Sequence, residues 1–231
     1  MVFTIQIKKE ISCMKKNHLL SIIMIVVAFT PLAYLAMVWN KIPDIVAIHY
    51  NGKMQPDRMG NKLELWLLTG IVAGVSILMF FLFQYIHLID PKRRNLPRSG
   101  TFNKLAAGLV VFMAALNFLI IISAANNDLV LENFLFPLLG LLFAFIGNYM
   151  HNIKPNYFAG LRLPWTLNDP ENWRKTHHLG GKLWFWGGLF LAIVSLFIPA
   201  AIIIYLFIGV VLILVIVPAI YSYRMFKDKV S

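Results

Sequence analysis

The chain has 231 residues, of which 59% are hydrophobic and only 13% charged, and its net charge is +11. That charged share is about half the ~25% usual for a soluble domain, and the apolar residues come in long blocks, which together exclude a soluble globular protein. Blocks of roughly 20 apolar residues match the bilayer hydrocarbon at ~1.5 Å of rise per residue, so the fold class is an all-α integral membrane protein.

In chain order, residues 1–18 form a basic N-terminus and residues 19–89 hold two spans, Leu19–Val38 and Leu65–Ile89, joined by a loop over 39–62. Residues 90–150 hold the next two, Leu105–Ala125 and Leu131–Met150, with a short connection at 126–129 between them. After a loop over 151–182, the stretch 183–231 contains the uncharged run Leu183–Tyr223 and a basic tail. That run would be about 60 Å long as one helix, twice the bilayer core, so it folds back, and Pro199 marks the reversal. Six transmembrane helices result. Pro31 and Pro218 are expected to kink their helices.

Charge placement supports an even count. The N-terminus, the loop after the second span, the 151–182 loop and the tail together hold 17 of the 21 basic residues. Lys41, Lys53, Arg58 and Lys62 lie on the other side. Basic loops stay in the cytoplasm, so both termini are expected inside a bacterial cytoplasmic membrane, with the 39–62 loop outside. Topology and attraction to anionic membrane lipids account for the positive charge, so the basic balance does not imply direct nucleic-acid binding. Cys13 is alone, so no intramolecular disulfide is possible. The first span reads as a retained anchor, and Met14 is a natural start that would make residues 1–13 dispensable.

The outer loop combines a β-prone segment, Ile45–Tyr50, with Asn51-Gly52, a tight-turn signal, and predicts a small β-hairpin-like element. Trp39 is its interfacial anchor. Its ligand-binding candidates are Asp44, His49, Asn51 and Asp57, and the simplest role for these groups is to hydrogen-bond the loop to itself. One His and two Asp are too few for a metal site.

The inner loop carries the stretch "LPWTLNDPENWRKTHH". Pro155 and Pro164 are expected to keep its first half extended. Asn168 or Asp169 caps a helix, with Pro170 in the first turn and Glu171 set for a capping box with Asn168. Trp173 and His177 share a face at i, i+4. Gly180-Gly181 ends this inner interfacial helix or lets it bend into the fifth span. Such a helix would lie along the interface, with Trp173 buried and Arg174 and Lys175 towards lipid phosphates. His177 and His178 point about 100° apart and cannot readily share a metal, even with His151 and His87 nearby. Gly180, Gly181, Gly187 and Gly188 repeat at seven residues, which suits close helix packing.

No Ser-His-Asp order, phosphate-binding glycine loop or cysteine cluster is present, and capping explains Asp169 and Glu171. The spans lack Lys, Arg, Asp or Glu near their middles, where ion-coupled transporters place relay groups. Their notable polar groups, Thr30, Tyr34, Thr69, Ser76, Gln84 and Asn117, can be satisfied by neighbouring helices. No cofactor and no metal are expected, and the reading is of a protein that binds rather than catalyses.

The inner stretch "NYFAGLRLPWTLNDPENWRKTHHLGGKL" resembles the characteristic motif of the SdpI family of bacterial membrane proteins, the family of the immunity protein against the sporulation-delay toxin. The outer stretch "IPDIVAIHYNGKMQPDRMGNK" is similar to the small domain of unknown function that often precedes it. Two positions depart from the pattern: His178 stands where Arg is common, and Met54 where Gly is common. The resemblance implies protection from a membrane-active peptide toxin outside and recruitment of a transcriptional repressor inside. The partner-binding or structural candidates of the inner loop are Asn156, Arg162, Pro164, Trp165, Trp173, Arg174, Lys175, His177, Gly180 and Gly181. The alternative is a membrane enzyme or transporter acting on a lipid or small amphiphile. Ionisable residues lining a cavity at membrane depth would favour it, whereas a solidly packed bundle would favour binding.

Overall fold

The computed structural model describes residues 2–52, 55–92, 100–126 and 131–230, and the side chains among these except those of 2–16, 132, 200, 201 and 230. Met54, Arg93, Arg94, Arg98, the Cys13 side chain and most of the 126–129 connection fall outside the described set. Six long helices and one short helix carry the architecture: α1 Val2–Val38, α2 Glu64–Ile89, α3 Gly100–Ala125, α4 Glu132–Met150, α5 Pro164–Asn168, α6 Pro170–Val194 and α7 Ala200–Val230. Between α1 and α2 lie β1 Ile45–Tyr50 and β2 Pro56–Asn61, which pair antiparallel.

Among the described residues five helical stretches are long and apolar enough to cross a membrane: Asn17–Lys41, Glu64–Ile89, Gly100–Ala125, Asn133–Met150 and Ile202–Lys229. The chain is a multi-pass membrane protein. Helix α6, where the fifth span was expected, is not among them, because its first half, Pro170 to Lys182, is polar. The reversal comes where Pro199 predicted it, between α6 and α7. Pro31 and Pro218 sit inside continuous helices and end neither.

The helices group into two units. Helices α1, α2 and α3 pack together around Met24, Ala28, Phe80, Ala106 and Val110. Helix α4 packs most extensively on α6, which packs in turn on α7, and α3 meets α4 across the middle. The α4–α6 contact is made by glycines. A Cβ on Gly188 would stand 2.3 Å from the backbone N of Ala144, and one on Gly147 2.3 Å from that of Phe185. Backbones that touch this closely gain dispersion contacts and hydrogen-bond-like approaches that any larger residue forbids, which is how membrane helices associate without a hydrophobic drive.

This contact corrects one expectation. Gly180-Gly181 does not end the inner helix, which continues past it. Helix α6 runs unbroken from Pro170 to Val194 because Gly181 and Gly188 hold it along α4. A second correction concerns the cap. Asn168 closes α5, and Asp169 alone caps α6, its carboxylate accepting from the backbone N–H of Glu171 and Asn172. The expected Asn168–Glu171 capping box is absent, because a proline at the first helical position leaves these two amides for the aspartate. Pro164 likewise opens α5 rather than extending the loop, although Leu163 before it is extended.

The bundle has a hairpin end and a motif end. The helix starts and finishes at the motif end are tied together: Asn103 donates to Asn17 at 3.2 Å and Gln84 to Ser21 at 3.2 Å.

Candidate functional site

At the hairpin end, Ile42 and Val46 plug into Leu35, Leu65 and Ile121, so the two strands form a lid over α1, α2 and α3. The Trp39 ring lies 5.7 Å from that of Trp66 at a tilt of 47°, and the Lys62 ammonium stands 5.0 Å from the Trp39 ring centre. The four candidate ligand residues are then accounted for by their neighbours. His49 Nδ1 is 2.6 Å from Asp57 Oδ1, Asp44 pairs with Lys62 at 2.9 Å, and Asn51 Oδ1 accepts from the Gln55 amide at 3.1 Å. The loop hydrogen-bonds to itself, as the residues suggested. His49 and Asp57 are nonetheless exposed, and the strand register is irregular at His49; Arg58 and Glu64 form a second exposed pair beside them at 3.5 Å.

The motif end is more elaborate. The fully buried Trp173 packs with Ile86, Phe102, Leu105 and Ile153, reaching from α6 across to the first helical unit. Its indole N–H donates to the Ile153 carbonyl at 2.7 Å. One turn on, the His177 ring stacks on it at 4.0 Å. His177 Nδ1 donates to the Trp173 carbonyl at 2.8 Å, and Nε2 accepts from the Leu161 amide at 3.1 Å. With Nδ1 donating and Nε2 accepting, this is a neutral imidazole. Burial pushes its pKa down to about 4, against a smaller opposing effect of the Trp173 carbonyl.

The 156–163 loop is shaped around that histidine. Gly160 has φ 105°, and a Cβ there would stand 2.3 Å from His177 Nε2. The buried Asn156 accepts from the Phe158 and Ala159 amides and donates to the Lys154 and Ala159 carbonyls, all within 2.9 Å. Arg162 reaches back to the Tyr157 carbonyl at 2.5 Å. Thr166 closes α5 onto Leu161 and Leu163. Trp165 packs on Tyr223 and Phe226 of α7. Gly180 lets Leu161 and Met150 approach, since a Cβ would lie 3.0 Å from each side chain.

Several residues that the sequence did not single out hold this arrangement. Asp90, at the end of α2 and fully buried, accepts from the Lys92 amide at 2.9 Å and the Tyr157 amide at 3.1 Å. Lys92 donates to the Leu167 carbonyl and covers the Tyr157 ring. Asn172 donates to the Ser222 carbonyl at 2.9 Å and accepts from the Ser222 and Thr176 hydroxyls. Lys229 bridges Asp169 at 2.7 Å and Glu171 at 3.1 Å. The Lys229 hydrogen bond and the backbone amides hold the Asp169 carboxyl below the usual carboxylate range, and Lys175 followed by Lys229 does the same for Glu171. The links from Asp90 to Tyr157, Lys92 to Leu167, Asn172 to Ser222 and Lys229 to Asp169 and Glu171 span 50 or more residues, so no local pattern announces them.

Trp173, His177, Asn156 and Gly180 are thus brought together in the interior, while Arg174 and Lys175 turn outwards. Lys175 pairs with Glu171 at 2.8 Å. Trp173 is buried in protein rather than in lipid, because its side chain reaches from α6 onto Ile86 of α2 and Phe102 and Leu105 of α3. Among the described residues no group of three or more His, Cys, Asp or Glu side chains could hold a metal ion.

Between the two units lies a cavity of about 330 Å³, lined by residues such as Phe83, Leu109, Phe145, Ile146, Phe158 and Trp184. No lining residue is ionisable. The bundle is therefore not packed solid, yet its cavity lacks the groups that proton or cation relay would need.

Residues 152–222 match the SdpI/YfhL protein family, and residues 26–73 match the domain of unknown function DUF1648. The first match covers the motif, α6 and most of α7, and the second covers the hairpin with the end of α1 and the start of α2. Over 223 residues the chain is 26% identical to the immunity protein SdpI of Bacillus subtilis (strain 168), spanning 93% of this chain and 97% of that one. No solved structure matches.

Proposed function

We infer that this relative of the SdpI/YfhL family is a membrane immunity protein, acting by binding and not by catalysis. The observation that carries the reading is end-to-end similarity to an immunity protein, with both non-membrane features of that kind of chain retained. The basic-residue split supports a topology with both termini and the motif end in the bacterial cytoplasm and the hairpin outside.

In this reading a membrane-active peptide toxin meets the hairpin, where His49 and Asp57 are an exposed polar pair and Asp44 and Asn51 flank them. A cytoplasmic transcriptional repressor meets the motif end, where Arg162, Arg174 and Lys175 are exposed and Asn156, Pro164, Trp165, Trp173, His177, Gly180 and Gly181 hold the surface in shape. Communication between the ends requires two arrangements of the bundle, each preferred by one ligand. The junction between the units, where Trp173 and Asp90 join α6 and α2 through the motif, is where such arrangements would differ.

The test uses survival under toxin and repressor localisation in the same cells. Replacing Arg174 and Lys175 should abolish recruitment and spare survival. Replacing His49 and Asp57 should lower both. If every substitution lowers both readouts in proportion to protein abundance, the two-ended mechanism is wrong.

The apolar cavity favours one second reading, a transporter or enzyme handling a lipid or small amphiphile. Its lack of ionisable lining argues against a proton-coupled version. Uptake or turnover of an amphiphile that stops when Ile146 is enlarged to Trp would establish it.

A further inference from the structure

A second feature of the motif end lies outside both the buried histidine and the cavity. Arg174, His178, Lys182 and Trp186 follow one another at i, i+4, i+8 and i+12 on α6, so they form a single stripe about 18 Å long. The close approach of Gly147 and Gly181 draws the end of α4 alongside, and the His151 backbone lies 3.6 Å from where a Gly181 Cβ would be. Two adjoining clefts result. One, of about 390 Å³, is lined by His151, Arg174, Lys175, His178, Lys182 and Tyr221 among others. The other, of about 240 Å³, shares His151, His178 and Lys182 and continues over Gly147 and Phe185 to Trp186.

Neither cleft has an acidic lining residue. Among the described residues Arg174, His178 and Lys182 enter no ion pair, whereas Lys175 is already engaged by Glu171. The positive charge is therefore available to an outside anion. At the far end Trp186 is 67% exposed, in the place where the polar half of α6 gives way to the apolar half. An indole at such a boundary marks the membrane–water interface. The cationic groups that the two clefts share, and the Phe185 and Trp186 rings at the far end of the second, match the two halves of a phospholipid. A free anion would use the shared His151, His178 and Lys182 and have no use for the Phe185–Trp186 end.

We propose that the groove between α4, α6 and α7 is a binding site for one anionic phospholipid, its phosphate held by His151, Arg174, His178 and Lys182 and an acyl chain lying along Phe185 and Trp186. This is a site of defined stoichiometry, distinct from the diffuse attraction of a basic surface for a charged leaflet, and it does not depend on the immunity reading.

The experiment titrates the purified full-length protein, in a non-ionic detergent, with phosphatidylglycerol carrying brominated chains and follows tryptophan emission. Phosphatidylcholine with the same chains and inorganic phosphate are the comparison arms. The proposal expects saturable quenching at a phosphatidylglycerol concentration at least tenfold below that for phosphatidylcholine, equal to about 1.4 kcal/mol. Trp186→Phe should remove most of the saturable quenching. The double variant His178→Gln/Lys182→Gln should abolish the lipid preference, and Lys182→Arg should keep it. Both side chains are exposed, so a melting temperature equal to the parent's shows that the fold is intact. Equal quenching by the two lipids would overturn the proposal, as would a double variant that folds and keeps the preference. Suppression of the preference by millimolar inorganic phosphate would also overturn it, since the site would then take a free anion.

Discussion

Replacing Gly160 by Ala should unlatch the motif loop from α6. The backbone there has φ 105°, a conformation that costs a residue with a side chain about 1–3 kcal/mol. The new methyl would also fall 2.3 Å from His177 Nε2, the acceptor of the Leu161 amide. Neither side can yield easily, because the ring is stacked on Trp173 and fixed at Nδ1 by the Trp173 carbonyl. Losing that hydrogen bond and leaving the imidazole nitrogen unpaired costs about a further 1–3 kcal/mol. The two effects together give roughly 2–6 kcal/mol, or a fall in melting temperature on the order of 5–20 °C for a chain of this length. The assay is thermal unfolding in mild detergent, with Gly209→Ala as control. Gly209 is helical and a Cβ there meets nothing within 4 Å, so that change should be neutral or stabilise by up to about 1 kcal/mol. If Gly160→Ala melts with the control, the loop is not held by His177 in the way described.

Gly188→Ala should destabilise by about 1–3 kcal/mol in the same assay, because the methyl would meet the α4 backbone at Ala144 and the helices would have to separate; Gly209→Ala is again the comparison. Trp173→Ala should cost about 3–5 kcal/mol, since the side chain is fully buried between the two units, and an unchanged melting curve would show that α6 is not docked there. Stability should also fall with pH through the histidine. Burial depresses the His177 pKa from about 6.5 to about 4, so the unfolded chain binds the proton more tightly, and the contribution of the neutral ring, present above about pH 6.5, is lost progressively as pH falls towards 4. The loss is on the order of 3 kcal/mol, and His177→Gln should flatten that part of the profile if the folded variant is compared at matched detergent and salt.

Much of the fold could be read from the sequence, because a bilayer imposes lengths and loop charges that leave a direct record in composition. The reversal at Pro199 is an example, and so is the hairpin, although its strands end at Tyr50 and resume at Pro56, so the connection is longer than the two-residue turn that Asn51-Gly52 suggested. The continuity of α6 was not legible. Gly180-Gly181 looks like a break when the helix is considered alone, and becomes a contact only when Gly147 of α4 lies opposite. The same holds for the candidate site. The i, i+4 pairing of Trp173 and His177 was evident, whereas the roles of Asp90, Ser222 and Lys229 depend on elements that meet only after folding. Asn168 and Asp169 show the limit at finest scale, since both can cap and the choice between them depends on the preceding short helix α5.

The central claim is that the chain protects a cell against a membrane-active peptide. Its most direct test is survival of Bacillus subtilis cells lacking their own immunity protein, exposed to the sporulation-delay toxin while producing this chain at a verified level in the membrane. The account predicts protection by the intact chain and its reduction when His49 and Asp57 are replaced at equal abundance. Killing of cells that carry the intact, folded chain at the same rate as cells without it would contradict the account.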